Sequence, residues 1–297
     1  MAAALRLRAP AKVNLALQVG PRRADGYHEV RTVLQALALH DRVDIEPAAA
    51  LEVSCDDPAA GDGPANLAWR AADALRRAAG GTAGARIRVR KRIPVRAGLG
   101  GGSADAAAAL LGCNALWGLA WTRPALAELA AALGSDVPFF LLGGTAWAEG
   151  RGERVEPLPA LPALPAVVCH PGPGVSTAEA YAALDALGDW PAVDAAGLAA
   201  ALRRGPGEAA LAQGLGNAFE AAVLPARPDI AALRARLLAA GARAALLCGS
   251  GAAIWALAPS AAWARAQAGA LRRDGLWAAA TRFCAPAPGI PGAEGWI

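Results

Sequence analysis

Apolar positions along the chain change period several times, and each change marks an element. Residues 13–19 and 33–45 carry partly alternating apolar runs, the pattern of strands with one buried face, and the turn pairs Gly20-Pro21 and Asp25-Gly26 separate them. Residues 67–79 shift to a helical period that stops at Gly80-Gly81. Arg86-Ile87-Arg88-Val89-Arg90 alternates strictly and predicts a half-exposed strand. It leads through Pro94 into a glycine-rich run at 98–102, then into an alanine-rich helix predicted from Ser103. Residues 124–133 predict a further helix with proline in its first turn.

A proline-rich stretch at 157–173 places a domain boundary or linker near 158–165. The division expected is a domain over 1–160 and a second over 161–297. Beyond it the pattern predicts strands at 167–169, 244–248, 252–256 and 276–281. Helices are expected at 177–187, 217–224, 230–240 and 260–273. The fold class is α/β (α+β) in two lobes, with no repeat of fixed period.

Composition narrows the function classes. A chain of 297 residues with 55% hydrophobic and 18% charged residues folds around a substantial core and is not disordered. The net charge of +4 comes from arginines interleaved with acids, so nothing indicates a nucleic-acid binder, and a modest positive balance suits anionic small substrates. Five scattered cysteines without a C-x-x-C pair predict free thiols in a reducing compartment, hence a cytoplasmic protein. Basic residues within the first apolar stretch exclude a signal-peptide pattern, and the long uncharged stretches at 106–122, 157–178 and 244–264 are broken by glycine or proline. No membrane partner is expected.

The strongest local chemistry is Pro94-Val95-Arg96-Ala97-Gly98-Leu99-Gly100-Gly101-Gly102-Ser103-Ala104-Asp105, between a strand and a helix. Glycines let the backbone approach an anion, and the helix's unpaired N–H groups face the same place. Together they predict a phosphate cradle; the plain alternative is a flexible turn capped by Ser103. No Gly-Lys-Ser/Thr follows, so it is not a Walker A loop, and the dinucleotide fingerprint and protein-kinase signatures are absent.

Residues 94–108 resemble the phosphate-binding motif of the galactokinase, homoserine kinase, mevalonate kinase and phosphomevalonate kinase (GHMP) superfamily. Four further segments resemble the 4-diphosphocytidyl-2-C-methyl-D-erythritol kinase family of the non-mevalonate (methylerythritol phosphate) isoprenoid pathway. They are Ala9-Pro10-Ala11-Lys12-Val13-Asn14-Leu15, Arg23-Ala24-Asp25-Gly26-Tyr27-His28-Glu29, Leu133-Gly134-Ser135-Asp136-Val137-Pro138-Phe139-Phe140 and Gly174-Val175-Ser176-Thr177-Ala178-Glu179-Ala180-Tyr181. They occur in the family's order over the first two-thirds of the chain.

The resemblance implies a two-domain GHMP-kinase-like fold with the active site in the interdomain cleft. The activity implied is ATP-dependent phosphorylation of the 2-hydroxyl of 4-diphosphocytidyl-2-C-methyl-D-erythritol. Asp136 matches the catalytic base and Lys12 the lysine paired with it, whose ammonium would balance charge near the γ-phosphate. Taken alone, Asp136 reads as a helix cap and Lys12 as a surface lysine. Pro94, Gly98, Leu99, Gly100, Gly101, Gly102 and Ser103 fall where the family binds ATP. Asn66 and Leu67 match an adenine segment, although Asn66 by itself is a helix N-cap. Tyr27 and Tyr181, the chain's two tyrosines, match positions that sandwich cytosine, and His28 one that reads the base edge. Asn14 and Thr177 match residues lining the acceptor path. Mg²⁺ would accompany ATP, with Ser103 an indirect contact and no carboxylate metal site evident.

His40, His170, Glu149 and Glu153 carry no metal-ligand spacing and are expected to be structural, the two glutamates in a strand–turn–strand unit. Two segments depart from the family: Asn217-Ala218-Phe219-Glu220, and the glycine loop Gly249-Ser250-Gly251-Ala252-Ala253. Rival expectations are a superfamily kinase for another small alcohol and a catalytically silent nucleotide-binding regulator.

Overall fold

A computed structural model describes residues 4–285. Its first sheet is built on two long strands, β1 (Leu5–Arg22) and β2 (His28–Ala48), paired antiparallel along almost their whole length. Strand β3 (Leu51–Cys55) runs parallel to β4 (Gly84–Arg90), which pairs with β2. The hairpin of β5 (Thr145–Gly150) and β6 (Arg154–Pro157) adds to the other stretch of β2. The second sheet has strand order β11 (Trp277–Arg282), β7 (Pro165–His170), β10 (Ile254–Leu257) and β9 (Ala244–Leu247), all antiparallel. Strand β8 (Gly216–Asn217), from the later half of the sequence, pairs with Ala16 and Leu17 of the first sheet.

The helices of the first half are α1 (Leu67–Ala78), α2 (Gly101–Leu116), α3 (Arg123–Leu133) and α4 (Val137–Leu142). Helix α2 is buried almost all round, which its alanines permit, and it lies so close to the sheet that a Cβ on Gly112 would meet Ile45 Cδ1 at 2.3 Å. The second half carries α5 (Thr177–Asp185), α6 (Ala195–Arg204), α7 (Glu208–Leu211), α8 (Glu220–Ala226), α9 (Pro228–Ala239) and α10 (Ala261–Arg273). Leu198 and Leu202 of α6 pack with Val13, Leu15, Trp255 and Phe283, so one apolar cluster joins the two sheets. All five cysteines are free thiols, and burial pushes Cys113 and Cys169 up to about 12.

Several expectations change. The turn at Gly20-Pro21 is absorbed into β1, with a pairing irregularity between Val19 and Arg22. Helix α2 begins at Gly101 rather than Ser103, because its N-cap is Gly100 at φ +72, a left-handed conformation that costs glycine little. Asn217 belongs to β8, not to a helix over 217–224, because its side chain is fully engaged elsewhere. Elements β3, α4, α6 and α7 were not signalled by the pattern. Glu149 and Glu153 do belong to a strand–turn–strand hairpin, Glu149 in β5 and Glu153 in the turn before β6. Among the described residues no helix is long and apolar enough to cross a membrane.

Candidate active site

The glycine run connects β4 to α2, and its shape is fixed by what surrounds it. Gly98 has φ +81, and a Cβ there would lie 2.0 Å from the Cys248 carbonyl oxygen. The Leu99 carbonyl accepts the backbone N–H of Lys12 at 2.9 Å, tying the loop to β1. At the loop's other end Asp41, fully buried, accepts the backbone N–H groups of Arg92 at 2.5 Å and Ile93 at 2.9 Å. The Lys91 ammonium bridges Asp41 at 2.5 Å and Asp105, on α2, at 2.7 Å. A single buried cation thereby ties the strand leading into the loop to the helix leading out of it.

Above this base lies a cavity of about 420 Å³ lined by Asn66, Leu67, Pro94 and the stretch 94–103, with Lys91 and Asp105 at its floor. Because α2 starts at Gly101, its first N–H groups open toward this space and present the positive end of the helix dipole. Ser103, in the first turn of α2, also lines this space. Asn66, in contrast, is spent structurally: its Oδ1 accepts Ala68 N–H at 2.9 Å and its Nδ2 donates to the Gly61 carbonyl at 2.8 Å. Asn66 therefore lines the cavity while acting as the α1 N-cap, the role its residue type suggests.

A second cavity of about 350 Å³ shares Gly98, Gly100 and Ser103 with the first. Lys12, Asn14, Tyr27, Asp136, Thr177 and Tyr181 all line it. Lys12 Nζ lies 3.5 Å from Asp136 Oδ2 and donates to Asn14 Oδ1 at 3.0 Å. Asn14 Oδ1 also accepts Gly249 N–H at 3.1 Å, and Asn14 Nδ2 donates to Thr32 Oγ1 at 2.9 Å. Asp136 is the N-cap residue of α4, yet its carboxylate makes no cap hydrogen bond and faces the cavity instead.

The glycine loop after β9 closes one side. Asn217 Nδ2 donates to the Leu247 and Gly249 carbonyls, both at 2.8 Å, and Glu220 Oε1 accepts Leu247 N–H at 2.8 Å. Within the departing segment, Asn217 and Glu220 thus hold the loop, while Ala218 and Phe219 are buried in the core. Ser250 of the loop meets the Thr177 hydroxyl at 3.1 Å.

The aromatic residues divide. Tyr27 is 53% exposed at the cavity rim. Tyr181 is stacked on His28, with centroids 4.5 Å apart and planes 11° from parallel, and burial pushes its phenol up to about 12. His28 is buried and not part of the cavity lining; its Nε2 sits 3.0 Å from Asp185 Oδ1. His28 thus stacks on Tyr181 and pairs with Asp185, both carried by α5. His40 and His170 both hydrogen-bond to backbone groups. Among the described residues no cluster of three or more His, Cys, Asp or Glu could hold a metal. Asp41, Asp105 and Arg151 were missed by sequence reasoning. For Lys91 the only signal was that it is one of two lysines in an arginine-rich chain.

Residues 66–144 match the GHMP kinases N terminal domain. A 4-diphosphocytidyl-2-C-methyl-D-erythritol kinase of Pelotomaculum thermopropionicum is 48% identical over 199 residues, 66% of this chain and 69% of its own length. One from Symbiobacterium thermophilum is 50% identical over 197 residues, 66% of this chain and 70% of its own length. A crystal structure of 4-(cytidine 5'-diphospho)-2C-methyl-D-erythritol kinase superposes with a TM-score of 0.79 at 42% identity, covering 94% of this chain and 99% of that one. Homoserine kinase from Cytophaga hutchinsonii shares the fold, with a TM-score of 0.72 at 20% identity over 96% of each chain. By sequence and by fold, the chain belongs to the 4-diphosphocytidyl-2-C-methyl-D-erythritol kinase family of the GHMP kinases.

Proposed function

We propose that the chain transfers the γ-phosphate of ATP to the 2-hydroxyl of 4-diphosphocytidyl-2-C-methyl-D-erythritol. The observation that carries this reading is the Lys12–Asp136 pair, in a cavity that adjoins the glycine cradle at the head of α2. ATP fits the cradle, where backbone N–H groups and the helix dipole meet its phosphates. The acceptor fits the second cavity, with its base on Tyr27 and Tyr181 and its hydroxyl beside Asp136.

Phosphoryl transfer asks the protein for position and charge balance more than for covalent chemistry. Asp136 accepts the hydroxyl proton as the oxygen attacks the γ-phosphorus. Lys12, held by Asn14, aims that carboxylate and faces the charge that develops on the transferring group. The Gly249 loop, fixed by Asn217 and joined to Thr177 through Ser250, closes the acceptor side.

Mg²⁺ prefers oxygen ligands and keeps several waters when it binds beside phosphates. The chemistry of the site fits it: the Ser103 hydroxyl, an oxygen donor in the first turn of α2, lines both cavities. Ser103 would hold the ion through phosphate oxygens or water, and the ion would neutralise charge on the phosphates.

We assign the nucleotide-binding domain to 1–160 and the second domain to 161–297, since the second sheet begins at β7, where the linker expected at 158–165 ends. Soluble small-molecule substrates and five free thiols support a cytoplasmic location. A coupled assay of ADP release with and without the cytidyl acceptor tests the function. Acceptor-dependent release is expected; release insensitive to the cytidyl group would overturn the substrate assignment.

A further inference from the structure

The acceptor we propose carries a diphosphate, and its cavity offers few cations to meet it. Among the described residues lining that cavity only Lys12 and Arg151 are cationic. Lys12 is committed to Asp136 and Asn14. Arg151 lies on the turn between β5 and β6, where Gly150 and Gly152 adopt φ +79 and φ +101, and Arg151 and Gly152 both line the cavity. Its guanidinium carbon sits 5.0 Å from the centroid of the Tyr27 ring.

The guanidinium is seated but not consumed. The Arg151 backbone N–H donates to Glu153 Oε2 at 2.6 Å, which fixes the turn. Its Nε is 3.8 Å from Glu153 Oε1, close enough for attraction but too far for a hydrogen bond. The side chain therefore keeps its planar fork of N–H donors available, the geometry that suits two phosphate oxygens at once. Resting over one face of Tyr27, it also steadies that ring for a base stacked on the other.

Resting on the acceptor assignment above, we infer that Arg151 is a specificity-determining residue that holds the acceptor's diphosphate while positioning Tyr27 for the base. The nucleotide cradle does not include Arg151, so the effect falls on one substrate only. Acceptors lacking the diphosphate lose this contact and are discriminated against.

Arg151→Met keeps an apolar body over Tyr27 and removes the charge; Arg151→Lys restores the charge without the fork. Steady-state kinetics of Arg151→Met should show the acceptor KM rising on the order of tenfold, the size of one charge-assisted hydrogen bond, with the ATP KM within about twofold. Arg151→Lys should recover only part of that loss. Calorimetric titration with cytidine 5′-diphosphate and with cytidine gives a readout independent of turnover. The native chain should favour the diphosphate, and Arg151→Met should bring the two affinities together. An unchanged affinity ratio in Arg151→Met, or an ATP KM that rises as much as the acceptor KM, overturns the inference. Absence of acceptor-dependent ADP release by the native chain would instead strike the substrate assignment, and the titrations would still decide the role of Arg151.

Discussion

Lys12 and Asp136 form an unequal pair: their charged atoms are 3.5 Å apart, yet the Lys12 side chain is 5% exposed and that of Asp136 38%. The ammonium is sheathed by β1 and the glycine loop, whereas the carboxylate opens into the acceptor cavity. A base that must meet a substrate hydroxyl has to be reachable, and a cation that only orients it does not. Asp136→Asn is expected to lower kcat at least about a hundredfold while leaving ATP binding intact, because proton acceptance is lost and the cradle is untouched. Turnover at the native rate would remove Asp136 from the mechanism.

Gly98→Ala forces a Cβ to within 2.0 Å of the Cys248 carbonyl oxygen at a φ of +81. Backbone faces backbone there, so neither side can swing away. A loss of roughly 1–3 kcal/mol in stability is expected, read as a lower Tm, together with weaker ATP binding. A variant with native Tm and native ATP affinity would contradict the packing described.

Tyr27 stands at the cavity rim with Arg151 above one face. Tyr27→Ala should raise the acceptor KM by about tenfold or more, since base stacking contributes on the order of 1–3 kcal/mol. The ATP KM should stay near native. Equal effects on both substrates would rule out stacking by this ring.

Asp105 places one carboxylate oxygen on Lys91, and the other has no partner among the described residues. Burial pushes its carboxyl up to about 7, against the pull of the neighbouring ammonium. Between the ordinary value of 3.8 and about 7 the folded chain holds a proton that the unfolded chain has released. This group's contribution therefore makes stability fall as pH rises through that window and level off above it. Thermal melts from pH 5 to 8 should show that slope in the native chain and a flatter one in Asp105→Asn. An identical slope in both would contradict the assignment.

Local sequence was enough wherever the physics is local. Glycine at 98 and 100–102 between a strand and an alanine-rich run announced a backbone that could wrap an anion, and strict alternation at 86–90 announced β4. The order of the motifs around Lys12, Tyr27, Asp136 and Thr177 marked residues that one cavity indeed collects. Short elements such as α4 and β8 gave no periodic signal, because two to six residues are too few to show one.

What only the tertiary structure decided is how each side chain divides its bonding capacity. Asn66 is spent on α1, His28 is turned toward Asp185 behind Tyr181, and Asp136 leaves its own helix uncapped to face the cavity. Asn217, read as part of a helix, holds the Gly249 loop. Lys91 looked merely uncommon until folding placed it between Asp41 and Asp105, contributed by separate elements. Residue type and spacing specify which groups the chain carries and what its local backbone can do. Which partner each buried donor or acceptor finds depends on segments distant in sequence, and those meet only once the sheets and helices have packed.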